Sequence, residues 1–342
     1  MIITRTPFRM SFFGGGTDFS EFYNQYGGSV ISTTFDKYCY ISTRHLPRFF
    51  DYSNHFTYSK IETPNYLNEI RHPLIRNAMK YLDMHEIRLS YDADLPARTG
   101  LGTSSSFAVG MLNSFHALKG EHVSKRQLAD EAIYVERTMC NETGGIQDQI
   151  AASFGGFNRI VFTNEGYSVY PVIMPPIRKQ ELNNRLMLFF TGISRYSYKI
   201  QDSMKQVLYK KTKDLLEMLS LVDEAEKILT SNQSLDEFGR LLDYTWKLKR
   251  GISSEISTDC IDKLYERAKN AGALGGKLLG AGGGGFLLLF VDPEKQGNVL
   301  KEFQSLIHIP FSFESEGTRI IYYEHEKWDQ NARKLVIDLG DS

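Results

Sequence analysis

Apolar residues follow two rhythms along this chain, and the places where one gives way to the other mark its elements. Ile2 and Ile3 open a strand that runs toward Pro7. Residues 29–34 and 38–43 (SVISTT and YCYIST) are dense in β-branched and aromatic side chains and predict two strands. Residues 87–95 alternate like a strand. The helical rhythm predicts a helix over 73–84 through Leu74, Ala78 and Leu82, and another after residue 106 through Phe107, Met111, Phe115 and Leu118. Ser124 with Gln127 resembles a capping box and opens a helix to about Met139, with Leu128, Ala132 and Val135 facing inward and Glu136 beside that stripe. Residues 150–154 are helical in pattern, and 158–162 extended. Further on, the pattern predicts a short buried strand over 186–190. Long amphipathic helices follow over 199–231 and 234–250, and a further helix over 261–271. A strand over 286–291, a helix over 299–306 and a strand over 317–323 complete the chain. Residues 46–66, with Pro47 and Pro64, read as an irregular or hairpin region that could form a ligand-facing flap.

A chain of 342 residues suggests two domains. The composition shifts at 171–176 (PVIMPP), which places the boundary between 1–172 and 173–342. Lys plus Arg number 40 and Asp plus Glu 41, so the chain lacks the basic surplus of a general nucleic-acid binder. The longest wholly apolar run, 286–291, is too short to span a bilayer. Three cysteines without a CxxC pair suggest a reducing, cytoplasmic setting. No HxH or HxxxH pairing suggests a structural zinc site.

Three glycine-rich stretches interrupt the pattern. In 96–107 (PARTGLGTSSSF), two glycines and four hydroxyl residues precede an apolar helix. Glycines let a backbone approach a ligand, and amides at a helix start attract anions. The stretch is either a phosphate cradle or a Ser-rich helix cap. It is not a Walker A loop, because no Lys-Ser or Lys-Thr follows the glycines. Residues 280–285 (GAGGGG) contain GxGxxG, but a strand follows where a dinucleotide turn opens a helix; a close-packing turn is the competing reading. Residues 14–18 (GGGTD) form a tight turn after a strand. Taken singly, Asp148 is a helix N-cap, Glu136 a helix-face charge and Arg9 a surface strand residue. Cys140 is a small buried residue rather than a nucleophile.

Taken together, 6–18, 96–107 and 277–286 resemble, in order and spacing, the three motifs of the GHMP kinases, the family of galactokinase, homoserine kinase, mevalonate kinase and phosphomevalonate kinase. The resemblance covers essentially the whole chain. The stretches FGGGTD (13–18), TFDKY (34–38), GGIQDQ (144–149) and GALGGKLLGA (272–281) are most similar to the bacterial D-glycero-D-manno-heptose 7-phosphate kinases. The resemblance implies a two-domain α+β fold, with an N-terminal domain like ribosomal protein S5 and a ferredoxin-like C-terminal domain. It implies ATP bound at Pro96, Arg98, Gly100, Leu101, Gly102, Thr103, Ser104, Ser105 and Ser106. It also implies Mg²⁺ held by Ser104 and Glu136, and catalysis by Asp148 with Arg9 beside it. The sugar side would include Gly15, Gly16, Thr17, Asp18, Gly145, Asp148, Gly282 and Gly283. Galactokinases carry Glu-His where this chain has Gly15-Gly16, which leaves room for a different or larger sugar. The second motif reads Thr103-Ser104-Ser105 where many members have Ser-Ser-Ala, so the hydroxyl is kept.

The implied reaction is transfer from ATP to the anomeric hydroxyl of D-glycero-D-manno-heptose 7-phosphate, for lipopolysaccharide or capsule precursors. A phosphate already on the substrate needs a basic receptor: Arg195 first, then Lys249 and Arg250. Expected partners are ATP and a small sugar phosphate, with no nucleic acid and no membrane, and a homodimer left open. Another sugar 1-kinase (L-fucokinase-like or galactokinase-like) and a non-catalytic sensor of the same fold are the alternatives. Retention of Arg9, Ser104, Glu136 and Asp148 together speaks against the sensor.

Overall fold

The computed structural model describes residues 1–47, 49–97, 99–192, 205 and 208–324. Thirteen strands among them are β1 (Ile2–Phe13), β2 (Gly28–His45), β3 (His55–Thr57), β4 (Ile61–Glu62), β5 (Ile87–Ala93), β6 (Phe157–Thr163), β7 (Gly166–Pro171), β8 (Leu186–Phe190), β9 (Ala273–Leu278), β10 (Phe286–Val291), β11 (Ile307–Ile309), β12 (Phe313–Glu314) and β13 (Arg319–Tyr323). The α-helices are α1 (Ser20–Tyr26), α2 (Pro73–Tyr81), α3 (Thr103–Leu118), α4 (Lys125–Ile133), α5 (Gln147–Phe154), α6 (Pro176–Asn184), α7 (Thr212–Thr230), α8 (Leu235–Ile252), α9 (Asp259–Asn270) and α10 (Gln296–Glu302).

β2 organises the first sheet. It is one continuous strand where the sequence pattern suggested two. Along one edge it pairs antiparallel with β1. Along the other, Gly28–Thr33 pair with β6 and Cys39–His45 with β5. The pattern lapses at 35–37 because the pairing with β1 slips between Pro7 and Phe8. A proline has no amide to donate to a ladder, and a bulge is where a central strand accommodates one. From Phe8 to Phe13 both faces of β1 are buried. One face lies under α3, which is buried nearly all round, as a central helix should be. The other face meets α7 and α8. There Phe12 and Phe13 set their rings 5.5 Å and 5.1 Å from Phe238, edge to face, and Val222 joins the same core.

The second sheet runs β11-β8-β10-β9, all neighbours antiparallel. Numbered in chain order this is 4-1-3-2, with helices after the first and third strands, the ferredoxin-like arrangement. β10 (FLLLFV) is buried at every position, as a central strand covered on both sides must be. Residues 275–276 look like part of a glycine turn but lie inside β9. A Cβ on Gly275 would stand 1.9 Å from the Gly239 carbonyl oxygen of α8, so the glycine lets helix and strand touch backbone to backbone. The C-terminal half does not keep to itself. β12 pairs with β2, and β13 pairs with β1 in the first sheet.

Two elements near the site differ from the pattern. The helix expected over 124–139 is α4, capped by Ser124 Oγ accepting from the Gln127 amide, followed by a turn of π-helix over Tyr134–Met139 that carries Glu136. Residues 199–207 of the first long helix lie largely outside the described residues.

His116, near the end of α3, is buried with Nδ1 2.8 Å from Glu121 and Nε2 2.7 Å from Glu131. Carboxylates only accept, so both ring nitrogens donate in the imidazolium form. Burial lowers the pKa of this ring, but the two glutamates outweigh burial and raise it above 6.5. A folded pKa above the unfolded value gives stabilisation that is complete below pH 6.5 and is lost as pH rises through the folded value. Thermal melts of wild type and His116→Gln should therefore differ most below pH 6.5 and converge on the alkaline side; a pH-independent gap would exclude the clamp.

Candidate active site

Arg9 lies on β1, 4% exposed, and is the hub of the site rather than a surface residue. Its Nε donates to Asp148 Oδ1 at 2.8 Å, Nη2 stands 2.7 Å from the same oxygen, and Nη1 donates to the Gly100 carbonyl at 2.7 Å. The Arg9 amide donates to the Leu101 carbonyl at 3.1 Å. One residue therefore fixes both the aspartate and the glycine loop.

Asp148 is the second residue of α5 rather than its N-cap, which is Ile146. The first three residues of α5 are Gln147, Asp148 and Gln149. Successive helical residues point about 100° apart, and these three reach three different partners. Gln147 Nε2 donates to Asp18 at 3.0 Å, Asp148 pairs with Arg9, and Gln149 Nε2 donates to Glu136 at 2.5 Å.

Asp18 is 2% exposed. It accepts from the Gly16 amide at 3.0 Å and the Gln147 amide at 3.3 Å. Burial pushes its carboxyl up from the usual range, and the charge of Asp148 adds to this against those donors. A Cβ on Gly145 would stand 1.9 Å from Asp18 Oδ2, so the missing side chain is what gives the carboxylate its place. Gly15, by contrast, has room for a Cβ, which would meet Ser11 and Gln147 side-chain atoms at 3.9 Å, an ordinary contact.

The loop before α3 ends at Gly102, a left-handed N-cap (φ 71°) with no side-chain cap. A Ser-rich cap is therefore not what the loop forms. The hydroxyls divide. Ser104 Oγ donates to Glu136 Oε1 at 3.0 Å and Ser105 Oγ to Oε2 at 2.8 Å. Glu136 is almost wholly buried, and burial together with its charge pushes Glu142 up to about 7. Ser106 departs from expectation. Its hydroxyl donates to the Pro7 carbonyl and its amide to Gly102, so neither is left for a ligand. Thr17 departs likewise: its hydroxyl lies 2.8 Å from the Gly14 carbonyl and 2.9 Å from that of Ser29, an internal brace of the turn. Leu101 is a core side chain, and Pro96 is exposed at the outer end of the loop. Thr103 is buried at the first position of α3. Arg98 and Arg195 lie outside the described residues.

The third stretch closes on the second. A Cβ on Gly280 would stand 2.3 Å from Gly100 Cα, and one on Gly285 2.2 Å from the Thr99 carbonyl oxygen. Gly282 and Gly283 do something else: they lie on Ile256, whose carbonyl accepts from the Gly283 amide at 2.9 Å. Three more polar residues stand here, of which sequence reasoning offered only Lys249, as a candidate phosphate receptor after Arg195. Gln149 supports Glu136. Lys277 is fully buried and donates to the Phe12 carbonyl at 2.8 Å. Lys249 donates to the Gly280 carbonyl at 2.5 Å. The dyad of glutamines around Asp148 was the one signal that could have found the first of these.

The buried Arg9 and the half-buried Asp148 thus lie beside a helix N-terminus that carries no side-chain cap. Residues 65–156 match the GHMP kinases N terminal domain and residues 207–308 the GHMP kinases C terminal domain. The chain is 32% identical over 339 residues to the D-glycero-alpha-D-manno-heptose 7-phosphate kinase of Campylobacter jejuni, covering 93% of this chain and 98% of that one. It belongs to the GHMP kinase family. This GHMP kinase is an ATP-dependent enzyme of the sugar- and metabolite-kinase class. It is also 30% identical over 232 residues to a bifunctional fucokinase/GDP-fucose pyrophosphorylase of Arabidopsis thaliana, spanning 21% of that longer protein. In fold it resembles a D-glycero-D-manno-heptose 1-phosphate kinase from Bacteriodes thetaiotaomicron (TM-score 0.76, 22% identity, 95% and 100% of the two chains covered). No helix among the described residues of this GHMP kinase is long and apolar enough to cross a membrane.

Gly145→Ala tests the placement of Asp18. The added methyl overlaps the carboxylate, and overpacking of this kind costs about 1–3 kcal/mol. A lower melting temperature together with a raised acceptor KM is expected, and wild-type values for both would refute the placement.

Proposed function

We propose that this GHMP kinase transfers the γ-phosphoryl group of ATP to the anomeric hydroxyl of D-glycero-D-manno-heptose 7-phosphate, giving the 1,7-bisphosphate. The observation that carries the reaction type is the Arg9–Asp148 pair set against the open N-terminus of α3. The choice of sugar rests on the Campylobacter jejuni relative, similar over nearly its whole length, and on the space at Gly15 where galactokinases carry side chains.

The chemistry follows from the charges. The amides at the start of α3 and the dipole behind them attract the nucleotide's phosphates. Asp148 accepts a hydrogen bond from the acceptor hydroxyl and aims its oxygen at the γ-phosphorus. A new O–P bond forms, the bond from that phosphorus to the β–γ bridging oxygen breaks, and ADP leaves with the electron pair. The hydroxyl proton passes to Asp148. Arg9 holds that carboxylate in place through two nitrogens and balances negative charge on the transferred group. In a loose transition state this positioning counts for more than early proton removal. Asp18, held by Gly16 and Gln147, is placed to accept from neighbouring sugar hydroxyls.

Ser104 and Glu136 are the proposed Mg²⁺ ligands. Among the described residues no cluster of three His, Cys, Asp or Glu could hold a metal, so most of the shell must come from phosphates and water, as is usual for Mg²⁺. The two side chains fit. Octahedral oxygens at about 2.1 Å from the ion lie about 3.0 Å apart when adjacent, and Ser104 Oγ and Glu136 Oε1 are 3.0 Å apart. Gln149 Oε1, buried beside Glu136, has no hydrogen-bond partner among the described residues. When bound, the ion would neutralise charge on the β- and γ-phosphates.

An ATP-consumption screen over free and phosphorylated hexoses and heptoses, with NMR of the product, tests the assignment. Turnover of heptose 7-phosphate with the new phosphate on C1 is expected; preference for an unphosphorylated sugar would sink it. Asp148→Asn should lower kcat by about 10³-fold or more, the scale of a lost positioned base and its charge, while ATP affinity stays close to wild type. Ser104→Ala and Glu136→Ala should each raise the Mg²⁺ concentration that gives half-maximal rate, and an unchanged titration would remove them as ligands.

A further inference from the structure

Lys249 sits in the last turn of α8, 5% exposed, at the junction between the two halves of the chain. The charged groups around it come from every neighbouring element: Arg9 from β1, Asp18 from the turn after β1, Asp148 from α5 and Lys277 from β9. Each of the other two cations is tied by protein acceptors. Arg9 holds Asp148 and Gly100, and Lys277 holds the Phe12 carbonyl. An ammonium has three donors, and one hydrogen bond of Lys249, to the Gly280 carbonyl, is recorded among the described residues. Burial and the charge of Arg9 weigh against this ammonium while Asp18 and Asp148 favour it, and burial drives Lys277 away from its charged form; a further anionic oxygen at the remaining donors would add to that favour.

We propose that Lys249 contacts substrate, its ammonium taking a phosphoryl oxygen on the acceptor side of the site while it stays anchored to Gly280. The inference rests on the kinase reading above and deepens it. The ligand chemistry is a phosphoryl oxygen, and it has two sources: the group in transfer, or the phosphate already carried by the sugar. Gly280 lies against Gly100, and the Gly100 carbonyl holds Arg9, so Lys249 and Arg9 flank one point from opposite halves of the chain. Burial lowers the Lys249 pKa to about 8, with Arg9 adding to this and the two aspartates opposing it.

The test compares wild type, Lys249→Met and Lys249→Arg in the full chain. Calorimetry gives affinities for heptose 7-phosphate and for the unphosphorylated heptose, and steady-state assays with ATP give kcat and KM. If the sugar's own phosphate is the ligand, Lys249→Met loses about 10- to 100-fold in affinity for the sugar phosphate, the worth of a charged hydrogen bond, and keeps its affinity for the free sugar. If the transferred group is the ligand, kcat falls by a similar factor and both affinities hold. In either case the quantity that depends on Lys249 declines in wild type above about pH 8, and that limb moves to higher pH in Lys249→Arg. Equal losses for both sugars, unchanged values for all of them, or a limb that stays in place in Lys249→Arg would overturn the proposal and leave Lys249 as a structural tie. A wild-type protein that binds heptose 7-phosphate and ATP but releases no ADP would fail as the proposed kinase, while the binding comparison would still decide Lys249.

Discussion

A guanidinium buried in the first strand has to find its partners inside the protein, and Arg9 finds them in two distant parts of the chain. Removing Asp148 would leave a buried guanidinium without its counter-charge, an arrangement that costs several kcal/mol in other proteins (about 3–5). The fold meets the requirement by bringing the loop before α3 and the start of α5 to the same edge of β1. Leu101 and Gly100 are then fixed by Arg9 from its amide and its side chain at once. The position of the loop and the orientation of Asp148 both follow from Arg9.

Close backbone contact does the rest. Gly100 and Gly280 meet with no room for a Cβ on either, which seats the third glycine stretch on the second and brings Lys249 with it. At the start of α5 the helical rotation spreads three neighbours over three tasks. Gln147 orders Asp18, Asp148 meets Arg9, and Gln149 steadies Glu136. The three acids to which the proposed reaction assigns sugar, hydroxyl and metal thus share one rigid support. The π-turn after α4 brings Glu136 to the serines from the other side.

Periodicity in the sequence was enough to find α3, α8, β8 and β10, because each buries a regular stripe or a continuous apolar run. It failed where tertiary contact sets the residue type. Gly275 and Gly276 look like a turn, yet they are strand residues chosen for what lies against them. Residues 35–37 look like a break, yet β2 runs through them and the irregularity belongs to its pairing with Pro7. The second and third glycine stretches meet at Gly100 and Gly280, where Arg9 ties Asp148 to the loop and Ser104 ties it to Glu136. What each hydroxyl does was not legible. Thr17 and Ser106 brace the backbone, and nothing in their sequence separates them from Ser104, which faces the carboxylate. Lys277 looks like a strand charge until the second half of the chain is packed on the first.

The return of β12 and β13 to the first sheet sets an order of assembly. β1 pairs with residues 319–323, more than 300 positions away, and β2 with residues 313–314. During synthesis the first sheet stands with an open edge until residues 313–323 have been made. Contacts this remote in sequence are slow to form, and an unpaired strand edge invites the wrong neighbour. The kinase therefore cannot mature one half at a time: the strand that carries Arg9 gains its last neighbour only when the second half has already been made.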